Sequence, residues 1–129
     1  MKTKENNEKI TKKRILICDD EDAIRLLLSE TLSEWYDIAE AGNGREAVTR
    51  AAKEPFDLIV MDIKMPGTHG LEAIERIREK NKTIPIIVCS AYRLMEDDIV
   101  VKTSDIAAFI TKPVDLNALK TKVFELIGC

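Results

Sequence analysis

The chain is poor in cysteine, has a single histidine and contains no long hydrophobic run. Its three cysteines, Cys18, Cys89 and Cys129, are odd in number, widely spaced and free of any CxxC pair. That excludes a disulfide framework or a zinc site and suits reduced thiols. Cys18 and Cys89 read instead as small strand residues. The longest apolar stretch, Ile84 to Cys89, falls far short of the roughly 18 residues a membrane-spanning helix requires. The charged N-terminus has no secretory hydrophobic region, so no membrane segment and a cytoplasmic address are expected. Neither an internal repeat nor a low-complexity tract is found, which argues against a solenoid or a fibre.

What is present is one domain's worth of sequence: 129 residues, 45% apolar, 33% charged, with a net charge of −3. A chain of this length can bury roughly two-thirds of its unfolded surface around one core. Charge is divided unevenly. Residues 1–13 carry five Lys and two Glu with Ile10 as the only bulky apolar side chain besides Met1, and read as a flexible basic tail, leaving 14–129 as the folded domain with an acidic excess. A basic tail on an acidic body does not make a nucleic-acid-binding face.

From Arg14 onward short apolar runs alternate with longer amphipathic segments, the pattern of βα units. Strands are expected at Arg14 to Cys18, Asp37 to Glu40, Asp57 to Met61, Ile84 to Cys89 and Ala107 to Ile110. All but the second are almost continuously apolar, as in parallel strands covered on both faces. Helical spacing joins Ile24, Leu27, Leu28, Thr31, Leu32 and Trp35, then Ala47 and Ala51, then Leu71, Ile74 and Ile77, then Leu116, Leu119, Val123 and Leu126. Residues 94–103, with the β-branched run Ile99 to Val101, make the weakest helix. Right-handed crossovers between such units give a doubly wound parallel α/β sheet, whose function lies outside the carboxyl ends of its strands.

Those ends carry chemistry. Asp19, Asp20, Glu21 and Asp22 follow the first strand, Asp62 the third, Ser90 the fourth, and Thr111, Lys112 and Pro113 the fifth. Carboxylates converging at one edge repel each other unless a cation or proton intervenes, and a sparse oxygen site of this kind fits Mg²⁺, or Mn²⁺, better than a calcium cage. A lysine ammonium and a serine hydroxyl opposite them suit phosphoryl oxygens. Taken singly, Asp19 and Asp20 also suit a helix cap, Asp62 a turn, Ser90 a cap and Lys112 a solvated loop. Only their convergence on one sheet edge favours phosphoryl transfer.

The runs ILICDDE, DLIVMDIKMPGTHGLE, IPIIVCSAY and AAFITKPV resemble the receiver domains of two-component response regulators, over Arg14 to about Ile127. The resemblance implies a flavodoxin-like five-stranded sheet of order 2-1-3-4-5 with helices on both faces. It implies that Asp62 takes a phosphoryl group from a phosphohistidine, and that Asp20 binds the metal directly while Asp19 acts through its hydration shell. The Lys64 carbonyl would complete the ligands, Lys112 would pair with phosphoryl oxygens and Ser90 would hydrogen-bond one. Ser90 and Phe109 would form the switch, with residues 94–103 as part of a bistable output face, and the Lys112 to Pro113 bond would be cis. Lys64 and Tyr92, bulky at positions that tune water attack, imply slow hydrolysis. Asp105 stands where many relatives have glycine, and His69 is expected in a loop.

The chain ends with its last helix and shows no DNA-binding helix pair, so a stand-alone monomeric receiver is expected, more like the phosphorelay members than the chemotaxis members. Its partners would be a sensor histidine kinase or histidine phosphotransferase and a downstream protein. Leu26 should be exposed and, with Ile24 and Pro113, is expected to dock the phosphohistidine partner. Four alternatives stay open. They are the excised receiver of a larger regulator or hybrid kinase, a phosphate-independent binding module, an aspartyl phosphohydrolase, which would want a second acid at Lys64, and a nucleotide or flavin binder, which would want glycines or hydroxyls where the acids stand.

Overall fold

The structure, a computed structural model, describes residues 12–63, 68–91 and 106–129. Among these residues nine elements follow one another: β1 (Arg14–Cys18), α1 (Asp22–Leu32), β2 (Asp37–Ala41), α2 (Gly44–Lys53), β3 (Leu58–Ile63), α3 (Thr68–Lys80), β4 (Ile86–Ser90), β5 (Ala108–Thr111) and α4 (Leu116–Ile127). The sheet is parallel throughout and ordered β2-β1-β3-β4-β5, the flavodoxin-like order expected. The Lys112–Pro113 peptide is cis, also as expected. The expected helix at 94–103, together with Lys64, Tyr92 and Asp105, lies outside the described residues.

Because successive strand side chains point to opposite faces, the continuous apolar runs of β1, β3 and β4 feed two cores at once. Leu16, Ile59, Met61, Ile86 and Val88 pack with Ala47, Ile74 and Ile77 on the α2 and α3 side. Ile15, Ile17, Val60, Ile87 and Cys89 pack with Leu28, Leu32, Leu119 and Val123 on the α1 and α4 side. All of these side chains are essentially removed from water. β5 differs from the expectation of a strand covered on both faces. Among the described residues it pairs with β4 alone and is covered on one face by α4, and along it Ala108 and Ile110 are partly buried while Phe109 and Thr111 are exposed.

Side chains also fix the helix ends. Asn43 caps α2 by accepting from the Glu46 N–H at 2.8 Å, and Glu46 reaches back to accept from the Gly42 N–H at 2.8 Å. Asp115 caps α4 by accepting from the Ala118 N–H at 3.0 Å. α1 stops at Leu32, earlier than the apolar stripe suggested. Trp35 therefore lies in the turn beyond the helix, 40% exposed, with the Lys120 ammonium 5.4 Å over its ring. Tyr36 is the aromatic buried there instead, and Leu27 is exposed on the outer flank. His69 is in the first turn of α3 rather than in a loop. The C-terminal end of α4 is clasped to the starts of β1 and β2: Lys13 Nζ donates to the Ile127 carbonyl and Tyr36 Oη to the Gly128 carbonyl. Gly128 there has φ +69°, a left-handed conformation that glycine adopts without strain.

Candidate functional site

Strand register explains why distant acids meet. Cys18 pairs with Met61, so the next residue on each of these neighbouring parallel strands, Asp19 and Asp62, emerges side by side at the carboxyl edge. Ser90 pairs with Ile63 on one side and Thr111 on the other, which brings Lys112 to the same edge. The Lys112 N–H donates to the Ser90 carbonyl at 2.7 Å and holds the β4 and β5 ends together. Asp62 and Ser90 belong to the last turns of strand pairing rather than to the loops after them, so they stand on the rigid sheet.

Asp19, Asp20 and Asp62 each offer a carboxylate oxygen, and the three oxygens lie within 4.8 Å of one another. Asp19 is buried, the Asp62 side chain is 7% exposed and Asp20 is open to solvent. Lys112 Nζ lies 2.9 Å from Asp62 Oδ1, 3.1 Å from Asp19 Oδ2 and 3.4 Å from Glu21 Oε1. The ammonium is thus shared by three carboxylates. Burial pushes the Asp62 pKa up, the Lys112 hydrogen bond draws it down, and Asp19 and then Asp20 push it up again. Burial opposes the charged form of Lys112, but its hydrogen bonds to Asp62 and Asp19 outweigh that and raise its pKa. The thiols beside the site are inert: burial, reinforced by Asp62 and Asp19, pushes Cys18 up to about 12, and burial pushes Cys89 up to about 12.

The helix-cap explanation of the acidic pair does not hold. The α1 N-cap is Glu21, which makes no side-chain cap bond, and Asp19 Oδ1 accepts from the Glu21 N–H at 2.9 Å within the turn before the helix. Three hard oxygen donors, one of them open to water, are a chemically fitting set for Mg²⁺ or Mn²⁺. Lys64, the expected carbonyl ligand, lies outside the described residues.

A model of the response regulator receiver domain matches residues 15–124. The chain belongs to the response regulator receiver family. Sporulation initiation phosphotransferase F of Bacillus subtilis is 34% identical to this receiver over 113 residues, spanning 85% of the chain and 90% of that relative. A receiver domain protein from Methanospirillum hungatei superposes with a TM-score of 0.82 at 30% identity, covering 89% of this chain and 93% of that one. The response regulator protein TrrA of Thermotoga maritima, solved in complex with Mg²⁺–BeF, gives 0.78 at 40% identity over 88% of this chain and 98% of that one. Other curated relatives are longer, and the receiver spans 17% to 53% of their length.

The remaining expected residues lie on α1, on β5 and just after it. Phe109 is 46% exposed on β5, Leu26 is 54% exposed on α1, Pro113 is exposed, and Ile24 is partly buried against the core. Two residues were missed. Glu21 was noted only as one of a run of acids, yet it shares Lys112. Arg25 was not noted at all. Its Nη2 pairs with Asp22 at 2.7 Å, a contact that i,i+3 spacing signals, but its bonds to the Asp19 carbonyl and Glu40 arise only in the fold.

Proposed function

We propose that this receiver is a phosphoacceptor that takes a phosphoryl group from the phosphohistidine of a sensor histidine kinase or histidine phosphotransferase onto Asp62. The observation that carries this reading is the Asp62 carboxylate at the open edge of the sheet, paired with Lys112 at 2.9 Å and set among two further aspartates. An Asp62 oxygen forms the new bond to phosphorus as the phosphorus–nitrogen bond of the donor breaks. The partly desolvated position of Asp62 keeps its carboxylate poorly screened by water and therefore a better nucleophile. Lys112 supplies a fixed positive charge where the phosphoryl oxygens arrive, and the Ser90 hydroxyl supplies a donor at the neighbouring strand end. Asp20, Asp19 and Asp62 would hold Mg²⁺ or Mn²⁺, with the Lys64 carbonyl completing the set, and the bound ion would neutralise charge between nucleophile and phosphate. The Mg²⁺-containing complex of the similar Thermotoga maritima protein supports this assignment.

The phosphoryl group then acts through protein contact or onward transfer to a downstream protein. Ser90 and Phe109 are the switch pair: Phe109 stands exposed on the edge strand, in a position to turn inward when Ser90 moves toward the phosphoryl group. Ile24 and Leu26 on α1, with Pro113 after β5, would form the docking surface for the phosphohistidine partner, a reading that the exposure of Leu26 and Pro113 supports. The 34% identity to a phosphotransferase that the chain spans almost completely favours a stand-alone relay role in the cytoplasm. The same domain inside a larger regulator is the second reading, favoured by the longer curated relatives.

The test is intact mass after incubation with Mg²⁺ and acetyl phosphate, beside Asp62→Asn. One added phosphoryl group, lost in the variant and in chelator, is expected. No adduct from this donor or from a phosphohistidine protein would overturn the proposal.

A further inference from the structure

Every polar group of Asp19 is held. Its N–H donates to the Ala41 carbonyl at 3.1 Å, Oδ1 accepts from the Glu21 N–H at 2.9 Å and Oδ2 from Lys112 Nζ at 3.1 Å. Its carbonyl accepts from Arg25 Nη1 at 2.5 Å. That guanidinium is itself fixed at two other points, with Nε on Glu40 Oε1 at 2.9 Å and Nη2 on Asp22 Oδ1 at 2.7 Å. Glu40 stands on β2, and its carbonyl accepts from Arg50 Nη1 at 3.1 Å, so Arg25 is braced against the sheet. Its side chain is only 18% exposed.

The geometry points to Arg25 as a positioning residue for divalent-cation binding, one that sets the direction of the Asp20 carboxylate through the Asp19 carbonyl. The Asp19 carbonyl and the Asp20 nitrogen belong to one planar peptide unit. Fixing that oxygen fixes the plane from which the Asp20 side chain leaves, and Arg25 does so through the Asp19 carbonyl, with its other bonds spent on Glu40 and Asp22. Three acceptors in different directions need a rigid planar fork, which a lysine cannot replace. The inference rests on the reading of Asp19, Asp20 and Asp62 as a cation site.

Charge and positioning predict opposite signs, which makes the inference testable. Arg25 is a cation near the site, so by electrostatics alone its removal should tighten Mg²⁺ binding. If it positions the ligands, removal weakens binding, by about 10-fold or more, as for other partners that orient metal ligands. We would titrate the full chain with Mg²⁺ by calorimetry, and measure melting temperature in chelator, for wild type, Arg25→Gln, Arg25→Lys and, as a charge control on α4 outside this network, Lys122→Gln.

The expected result is weaker binding in both Arg25 variants, including the charge-conserving lysine, with wild-type affinity in Lys122→Gln and little change in chelator melting temperature. Unchanged or tighter binding in Arg25→Gln would overturn the inference while leaving the proposed function standing. So would a loss that tracks a fall in chelator melting temperature and is rescued by lysine, because Arg25 would then be an ordinary structural residue. If wild type itself binds no Mg²⁺, the cation reading fails, and the inference with it. Should Arg25→Gln not fold, Arg25→Lys alone decides by the same criterion.

Discussion

Replacing Lys112 by methionine keeps the aliphatic stem and removes the charge on which the carboxylate cluster depends. Two of its partners, Asp19 and Asp62, have side chains only 1% and 7% exposed, so neither regains full hydration when the ammonium is gone. At separations of this order and an effective dielectric of about 20, each contact is worth roughly 4 kcal/mol before desolvation. Breaking a buried pair by deleting one partner typically costs about 3–5 kcal/mol. The Lys112 side chain is 14% exposed and Asp20 lies in water, which moderates the cost. We therefore expect Lys112→Met to lose about 2–3 kcal/mol in neutral chelator, lowering the melting temperature of a chain this size by about 10 °C. The assay is thermal and urea unfolding at neutral and acidic pH, with chelator and with Mg²⁺. The pairing needs ionised carboxylates, so the deficit should shrink as they protonate, and a bound divalent cation should shrink it as well. An unchanged melting temperature in chelator, or a deficit of the same size in acid, would refute the reasoning.

Four further outcomes are expected. Asp62→Asn should be more stable than wild type in neutral chelator, because burial raises the Asp62 pKa. A carboxyl whose pKa rises on folding destabilises the fold as pH climbs from the unfolded value through the folded one, so the gain should fade in acid unfolding runs. Gly70→Ala should lose about 1–3 kcal/mol by urea unfolding. Its new Cβ would lie 2.8 Å from Ile63 Cγ1 and 2.9 Å from the Asp62 carbonyl, pressing α3 against the end of β3, and phosphoryl uptake should slow with it. Leu28→Ala, at a position 1% exposed, should cost about 2–5 kcal/mol. Leu26→Ala, 54% exposed two residues away, should change stability by less than about 0.5 kcal/mol while weakening transfer from the phosphohistidine partner.

The parts of the fold that were legible in the sequence are those whose signal is local and repeated. Apolar strand runs and acids at strand ends pointed to the parallel α/β sheet and the converging carboxylates, whereas the strand order and the cis bond followed from the resemblance to the receiver family. Boundaries were less legible, because hydrogen-bonded pairing extends past the apolar run: β3 continues through Asp62 to Ile63 and β4 through Ser90. Trp35 continued the stripe in register, but the chain leaves the helix at Leu32, and which aromatic is buried is decided by the turn. The burial of β5 depended on what covers each face, which no strand-local pattern encodes. Arg25 was invisible for a related reason. Arginine on a helix flank is usually a solvated residue, and only the placement of Glu40 and the Asp19 carbonyl turns it into a brace.

The clasp of Lys13 and Tyr36 on residues 127 and 128 has a topological consequence. A residue at the doorstep of the first strand donates to a carbonyl 114 positions away in sequence, so the folded path nearly closes on itself. Such a path makes the fold a candidate for circular permutation. Joining the clasped ends through a few small residues and reopening the chain in the exposed turn at residues 81–83 should preserve both cores and the carboxyl edge, since neither the join nor the cut touches a strand end that carries a site residue.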